Sequence, residues 1–517
     1  MDEMHDTTYP GQWFDYWHCF DQRAGHASAA AAKAGKNGIG NMMAIKELVN
    51  IFRIKDLLEP EDIFNWHLWF AVVSFGLMGA AGGVDEGLIS GAFNSKEFQA
   101  YINYKSYSEV EQANIKENVS EMVRVGSVGE ALFAFLVCDR IGRIWATRLL
   151  CLVWILGIAI SLGDGGSLAA VYAGRFVAGL GVGATVVVGP IYLSEIAPAS
   201  IHGLCTCVFG GFVFLGIALA HFANYGCEVN LGNETHRRRH TVVPTSLHIM
   251  FAGVIFLLSF LQYESPRYLI KRGQIDKAIS RSSAIFIASI QRAHEVEMDA
   301  TVGTGPIGWT GAGSITVYAT DLFHLLGTTG NHSNLLVTVA FGIVKLIAAI
   351  ICALFLVDVI GRKRFLLLGI ALQAISMVYV AGFLTAVPEM GVKDGFKLPT
   401  SKEGAGKGDI AMIHVSGLGW ALGWNSMRYL LTAELFPLRV RALATSMAMT
   451  LHFANPYSSS RAVSSMLLPV ENGCIGPIGK FWCFGAVTIV GDIWVWFSVP
   501  ETAGRSLESM DSLFALP

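Results

Sequence analysis

The stretch from Ala340 to Phe365, AFGIVKLIAAIICALFLVDVIGRKRF, is an apolar run that ends abruptly in Asp358, Arg362, Lys363 and Arg364. Runs of this kind recur along the chain, and they limit what it can become more than any other feature does. A segment of eighteen or more residues with few charges has the length to cross the hydrocarbon of a bilayer as a helix. Such runs lie at about 66–92, 119–138, 146–164, 168–194, 204–226 and 243–262. After a charged stretch they resume at about 305–326, 335–357, 365–387, 410–433, 440–468 and 481–499. Six and six predict an all-α membrane protein of twelve transmembrane helices. Composition agrees: 53% of the 517 residues are hydrophobic and only 15% are charged, against about a quarter charged in soluble domains.

The runs divide the chain into an N-terminal segment (1–63), a six-helix bundle (64–262), a central linker (263–303), a second six-helix bundle (304–500) and a tail (501–517). The N-terminal segment holds an amphipathic helix candidate, MMAIKELVNIFRIKDLL, and lacks the basic lead and short apolar core of a cleavable signal. Three Asn-x-Ser/Thr sites, Asn118, Asn233 and Asn331, fall in loops on one side if the first span crosses once. Sugar is added to such sites on the outer or lumenal side, so both termini are expected in the cytoplasm, with the plasma membrane as default. Arg140, Arg143, Arg148, Arg267, Lys271, Arg272, Arg362, Lys363 and Arg364 then lie inside, as the positive-inside rule asks, whereas THRRRH at 235–240 lies outside.

Lys and Arg number 37 against 40 Asp and Glu, a formal charge of −3, which argues against a nucleic-acid partner. Nine cysteines stand singly, with neither metal-ligand spacing nor a disulfide framework. No HExxH occurs and no GxSxG links a strand to a helix, so an enzyme, a cofactor and a metal are not expected.

Charged signatures punctuate the two halves in one order. DRIGR (Asp139 to Arg143) follows the second span and DVIGRK (Asp358 to Lys363) the eighth, 219 residues on. Glu195 in SEIAP is matched by Glu434 in AELFP after 239 residues, and Glu264 in ESPRYL by Glu501 in PETAG after 237. Two parallel six-helix halves are the architecture of a carrier that rocks about a central site. An aspartate and two arginines around a glycine at a helix end can clamp the glutamate ending another helix, an ion pair that holds an inner gate shut. Ordinary positive flanks would explain one such motif but not six in register.

The set DRIGR, GRFVAGLGVGA, PIYLSEIAPASIHG, ESPRYLIKRG, DVIGRK, ELFPLRVRA and PETAGRSLE resembles the sugar porter family of the major facilitator superfamily, over roughly residues 65–510, in the style of fungal members. The resemblance implies an alternating-access carrier of sugars, polyols or sugar acids in a lipid bilayer, often with proton symport. It implies that Asp85 in GGVDEGLISG takes the coupling proton opposite Arg175 in AGRFVAG, although the two could form a fixed ion pair. It assigns the inner gate to Asp139, Arg143 and Glu195, and to Asp358, Arg362, Glu434 and Arg441. His202, Ile144 and Ala503 replace basic residues usual in the family. The amides with which hexose carriers read hydroxyls fall here at Gly210, Ile307, Gly308 and Gly313. The segment before the seventh span is short for the family, and that span opens with GTGPIGWTG.

Lys345 lies thirteen residues before Asp358, roughly 20 Å along a helix, which is deep in the bilayer. An intramembrane ammonium is costly and marks function by default. It could pair with a carboxylate such as Glu130, or face the cavity and bind a substrate carboxylate. Arg428 in GWNSMRYLL is a second cation, and Trp420, Trp424 and Tyr429 are candidates to stack on a ring, or else to pack between helices. Two cations in place of amides point to an acid such as galacturonate or quinate. A neutral hexose carrier and a non-transporting sensor of the same fold are the alternatives.

Overall fold

The computed structural model describes residues 66–92, 99–100, 103–163, 167–198, 201–231, 237–279, 323, 331–356, 360–388, 399, 402–434, 438–466, 476–499 and 501. Every long regular element among them is helical. The first half consists of α1 (Trp66–Ala92), α2 (Glu109–Ile141), α3 (Arg143–Leu162), α4 (Leu168–Gly183) with α5 (Thr185–Ile196), α6 (His202–Leu231) and α7 (Arg237–Leu258). Two short helices follow, α8 (Pro266–Lys271) and α9 (Ile275–Ile279). The second half has α10 (Asn331–Ile351) running into a π-helical turn (Cys352–Leu356), and α11 (Arg362–Ala386). Then come α12 (Glu403–Trp420), a second π-helical turn (Ala421–Asn425), α13 (Ser426–Glu434), α14 (Leu438–Met466) and α15 (Gly476–Ser498). Eleven of the twelve expected spans are thus found among the described residues. The seventh lies outside them but for Phe323, as does the helix expected in the N-terminal segment.

Two boundaries differ from the apolar runs. Helix α2 begins ten residues before its run, because Ser108 and Glu111 form a reciprocal capping box that starts a polar helix in front of the apolar one. The Ser108 Oγ accepts from Glu111 N and the Glu111 carboxylate accepts from Ser108 N at 3.0 Å. Asn118 therefore stands within a helix, half-buried and bonded to Tyr172, and not in a loop. The fourth span is two helices that meet at Ala184.

Eight described helices are long and apolar enough to cross a membrane. The span 168–196 has 83% of its apolar window buried, against 33% for 242–261 and 28% for 478–498, so the fourth span is central and the sixth and twelfth are peripheral. Leu257, Val490 and Phe497 on those peripheral helices are exposed, as a lipid-facing surface requires. Between α1 and α6, packing depends on glycine: a Cβ on Gly83 would lie 1.9 Å from the Val213 carbonyl oxygen. With no side chain the backbones close to contact, the means by which helices associate where burial from water gives no drive.

The repeat read from the charges is present in the geometry. Gly142 and Gly361 both adopt φ 93°, which admits glycine readily; Gly142 joins α2 to α3, and Gly361 is the residue from which α11 starts. The Glu264 carboxylate then accepts from Arg143 N at 2.9 Å and Ile144 N at 3.2 Å, while Glu501 accepts from Arg362 N at 2.8 Å and Lys363 N at 3.2 Å. Two glutamates 237 residues apart cap the first turns of α3 and α11 in the same way.

Candidate functional site

The two aspartate–arginine motifs predicted in the first half are formed. Arg143 Nη2 donates to Glu195 at 2.7 Å, with both side chains almost fully buried, and Nη1 lies 3.5 Å from Asp139. Asp139 also accepts from Lys271 of α8 at 3.0 Å, so the segment after α7 is tied to this end of the bundle. Of the second-half set, Arg362 and Arg441 are buried, Asp358 lies outside the described residues, and Glu434 is the last residue of α13.

Deeper in the bundle, Arg175 of α4 faces Asp85 of α1, with Nη2 at 3.1 and 3.4 Å from the two carboxylate oxygens. Its Nε is held by the Val119 carbonyl of α2. Sequence reading did not find a third member, His248 of α7, whose Nε2 stands 3.4 Å from Asp85 Oδ1. Its Nδ1 lies 3.1 Å from the Thr245 carbonyl and its ring is edge-on to Trp154. Apolar periodicity carries no hint of which helices face each other, so a lone histidine in the sixth span gave no signal.

Lys345 is buried, with 1% of its surface exposed. Its ammonium sits over the rings of Phe341, at 4.8 Å, and Phe214 of α6, at 5.2 Å. Such cation–π contacts partly replace lost hydration. The carboxylate whose charge acts on it is Glu86 of α1, next to Asp85, and Arg428 is the second charge it feels. Glu130 has no charged neighbour of comparable effect, so the expected pairing with Lys345 is corrected.

Arg428 is placed by the π-helical turn that precedes α13, the kind of local widening that recurs at functional sites. Its Nη2 donates to Asn425 Oδ1 at 2.7 Å and to the Tyr429 hydroxyl at 2.6 Å, and Nη1 lies 2.9 Å from Nδ1 of His452 on α14. Its guanidinium lies 4.5 Å from the Tyr429 ring centroid and 5.9 Å from that of Trp420. Tyr429 is packed edge-on against Phe209. Asn425 donates to the Gly210 carbonyl at 3.3 Å, so the position where the resemblance implies an amide offers a backbone acceptor. Trp424 is buried and its Nε1 has no hydrogen-bond partner. Lys345, Arg428, Trp420 and Tyr429 thus form one group that draws on α6, α10, α12, α13 and α14, with Glu86 of α1 as its counter-charge.

At the end of the bundle away from Arg143, α2 of the first half meets α14 of the second. Arg124 bonds Glu121 at 2.6 Å and Ser460 at 2.9 Å, and Arg461 reaches Glu117 at 3.1 Å. Glu117 falls in the polar start of α2, before its apolar run, and Glu121 and Arg124 fall in the first turns of that run, where no motif marked them as a cluster that reaches α14.

Two fungal proteins resemble this chain along most of its length: a probable quinate permease of Aspergillus niger, 27% identical over 89% of this chain and 90% of its own, and a quinate permease of Emericella nidulans, 26% identical over 89% and 91%. The proton:xylose symporter XylE, solved with 6-bromo-6-deoxy-D-glucose, superposes with a TM-score of 0.75 at 19% identity over 86% of this chain and 99% of its own. That likeness shows the major facilitator fold, twelve helices in two related halves. The model of the sugar (and other) transporter family matches residues 70–290 and 308–514. The chain belongs to that family of membrane transporters.

Proposed function

We propose that the chain carries a hydroxylated carboxylic acid of quinate or galacturonate type by alternating access, with a proton moving alongside. The observation that carries this reading is the shared site of Lys345 and Arg428, two cations against one carboxylate, Glu86, among the described residues. A net positive charge away from water attracts an anion strongly, and it suits a planar carboxylate better than a neutral hexose. The two relatives named as quinate permeases support the same substrate class. Asp85, with Arg175 and His248 against it, is the group we assign to the proton; the likeness to a proton:xylose symporter supports coupling.

In this account the Arg143–Glu195 pair and its counterparts Asp358, Arg362, Glu434 and Arg441 form the cytoplasmic gate, and the α2–α14 charges form the outer one. Both termini, the 263–303 linker and the tail face the cytoplasm, the two six-helix bundles span 64–262 and 304–500, and the plasma membrane is the residence. Asn233 and Asn331, the latter the first residue of α10 and not in a loop, are the better glycosylation candidates, since Asn118 stands half-buried within α2. One observation favours a neutral sugar instead: Glu86 supplies Lys345 with an internal counter-charge.

The test is Lys345→Met, with Lys345→Met/Glu86→Gln as the variant that leaves no carboxylate exposed to an absent cation. Losing one partner of a buried charged hydrogen bond costs about 2–5 kcal/mol, so quinate uptake should fall at least about thirtyfold in both variants. Quinate uptake unchanged in the double variant, with protein at the surface, would refute the anion site.

A further inference from the structure

His221 of α6 is buried to 2% exposure, and it was not among the residues the sequence singled out. Its ring is hydrogen-bonded to the carbonyl of Gly87 on α1, and its Nε2 has no hydrogen-bond partner. The bond to Gly87 therefore runs through Nδ1 as donor, which leaves Nε2 as the ring atom without a partner. Asn224, one turn along the same face of α6, donates to that same Gly87 carbonyl and to the Leu88 carbonyl at 3.1 Å each. Those bonds fix the seam between α1 and α6 without using His221 Nε2.

Nε2 sits where the two halves of the carrier touch. A Cβ on Gly342 of α10 would lie 3.0 Å from His221 Cδ2, the ring carbon bonded to Nε2, and 3.3 Å from Ala218 Cα. Glycine at 342 brings α10 against α6 at this point. Lys345 follows three residues later, on the same side of α10, and its charge acts on the His221 ring. Its ammonium also covers Phe214, two turns from His221 on α6. A buried acceptor without a donor is costly, and native proteins keep few of them. Groups placed beside a ligand are the exception, since the ligand supplies the missing donor.

We propose that His221 Nε2 accepts a hydrogen bond from a substrate hydroxyl while Lys345 holds the carboxylate, making His221 a specificity-determining residue for hydroxylated over plain carboxylates. The inference rests on the anion reading of Lys345. A site built to bond a hydroxyl rejects an analogue lacking it, because its own polar group is then left unpaired. His221→Phe keeps the ring and removes the acceptor. His221→Gln places an amide oxygen near the position of Nε2.

The experiment measures uptake efficiency for quinate and for its singly deoxygenated analogues in wild-type, His221→Phe and His221→Gln carriers, at matched surface levels. His221→Phe should lower quinate uptake about tenfold, as expected for one hydrogen bond. It should leave one deoxy analogue unchanged, and His221→Gln should recover most of the loss. An equal fall for quinate and every analogue would overturn the inference and leave His221 a packing residue; no fall for any would overturn it too. If the wild type carries neither quinate nor its analogues, the anion reading itself fails, which is a separate result.

Discussion

Replacing Glu264 or Glu501 by alanine tests the two-fold repeat in energetic terms. Each carboxylate accepts two successive backbone N–H groups at a helix start, at 2.9 and 3.2 Å in one half and 2.8 and 3.2 Å in the other. A hydrogen bond to a charged group contributes about 1.5–3 kcal/mol, and an anion at a helix N-terminus adds about 0.3–1 kcal/mol. Burial pushes the Glu264 carboxyl above its ordinary range in spite of its backbone donors, so desolvation offsets part of the gain and the lower figures apply. Two bonds at that level, with the dipole, give about 3 kcal/mol for each glutamate. Glu264→Ala and Glu501→Ala should therefore lower the melting midpoint of the solubilised protein by several degrees, and by nearly the same amount. The double variant should show the sum, since the residues share no partner. Melting followed by intrinsic tryptophan fluorescence reads all three. A full loss for Glu264→Ala with less than about 1 kcal/mol for Glu501→Ala would refute the claim that the halves are built alike.

Two further outcomes follow from the packing. Arg143→Met and Glu195→Gln should each destabilise the protein by about 3–5 kcal/mol by leaving a buried charge alone, while the double variant should be milder; thermal melting checks the order, and a double variant worse than either single would contradict the pairing. Gly83→Ala should cost about 1–3 kcal/mol by forcing α1 from α6, whereas Gly82→Ala should be silent because its Cβ would meet nothing nearer than 4.0 Å; equal melting of the two would contradict the backbone contact at Gly83.

The spans were legible because the apolar runs have membrane-crossing length, and α3, α6, α11 and α15 begin within five residues of where the runs begin. The pairs Asp85–Arg175 and Arg143–Glu195 were legible because short motifs fix them. Lys345 could be marked as deep, but not by whom it is faced: Glu86, Phe214 and Arg428 come from three other helices, and tilt and rotation set such encounters. His248, His221 and His452 were missed for the same reason, since one polar residue in an apolar helix does not say which neighbour it meets. The early start of α2 was missed because its first turns are polar and are held by capping and by charges that reach α14.

The most direct measurement is uptake of radiolabelled quinate by yeast lacking its own hexose carriers, at about pH 5 and about pH 7, with and without a protonophore, for the wild type and Asp85→Asn. Each unit of pH gradient can drive about tenfold accumulation per proton. The account predicts accumulation at acid pH that collapses with the protonophore and is absent in Asp85→Asn, which retains exchange of quinate across the membrane. Uptake of glucose but not quinate, indifferent to the protonophore, would contradict it.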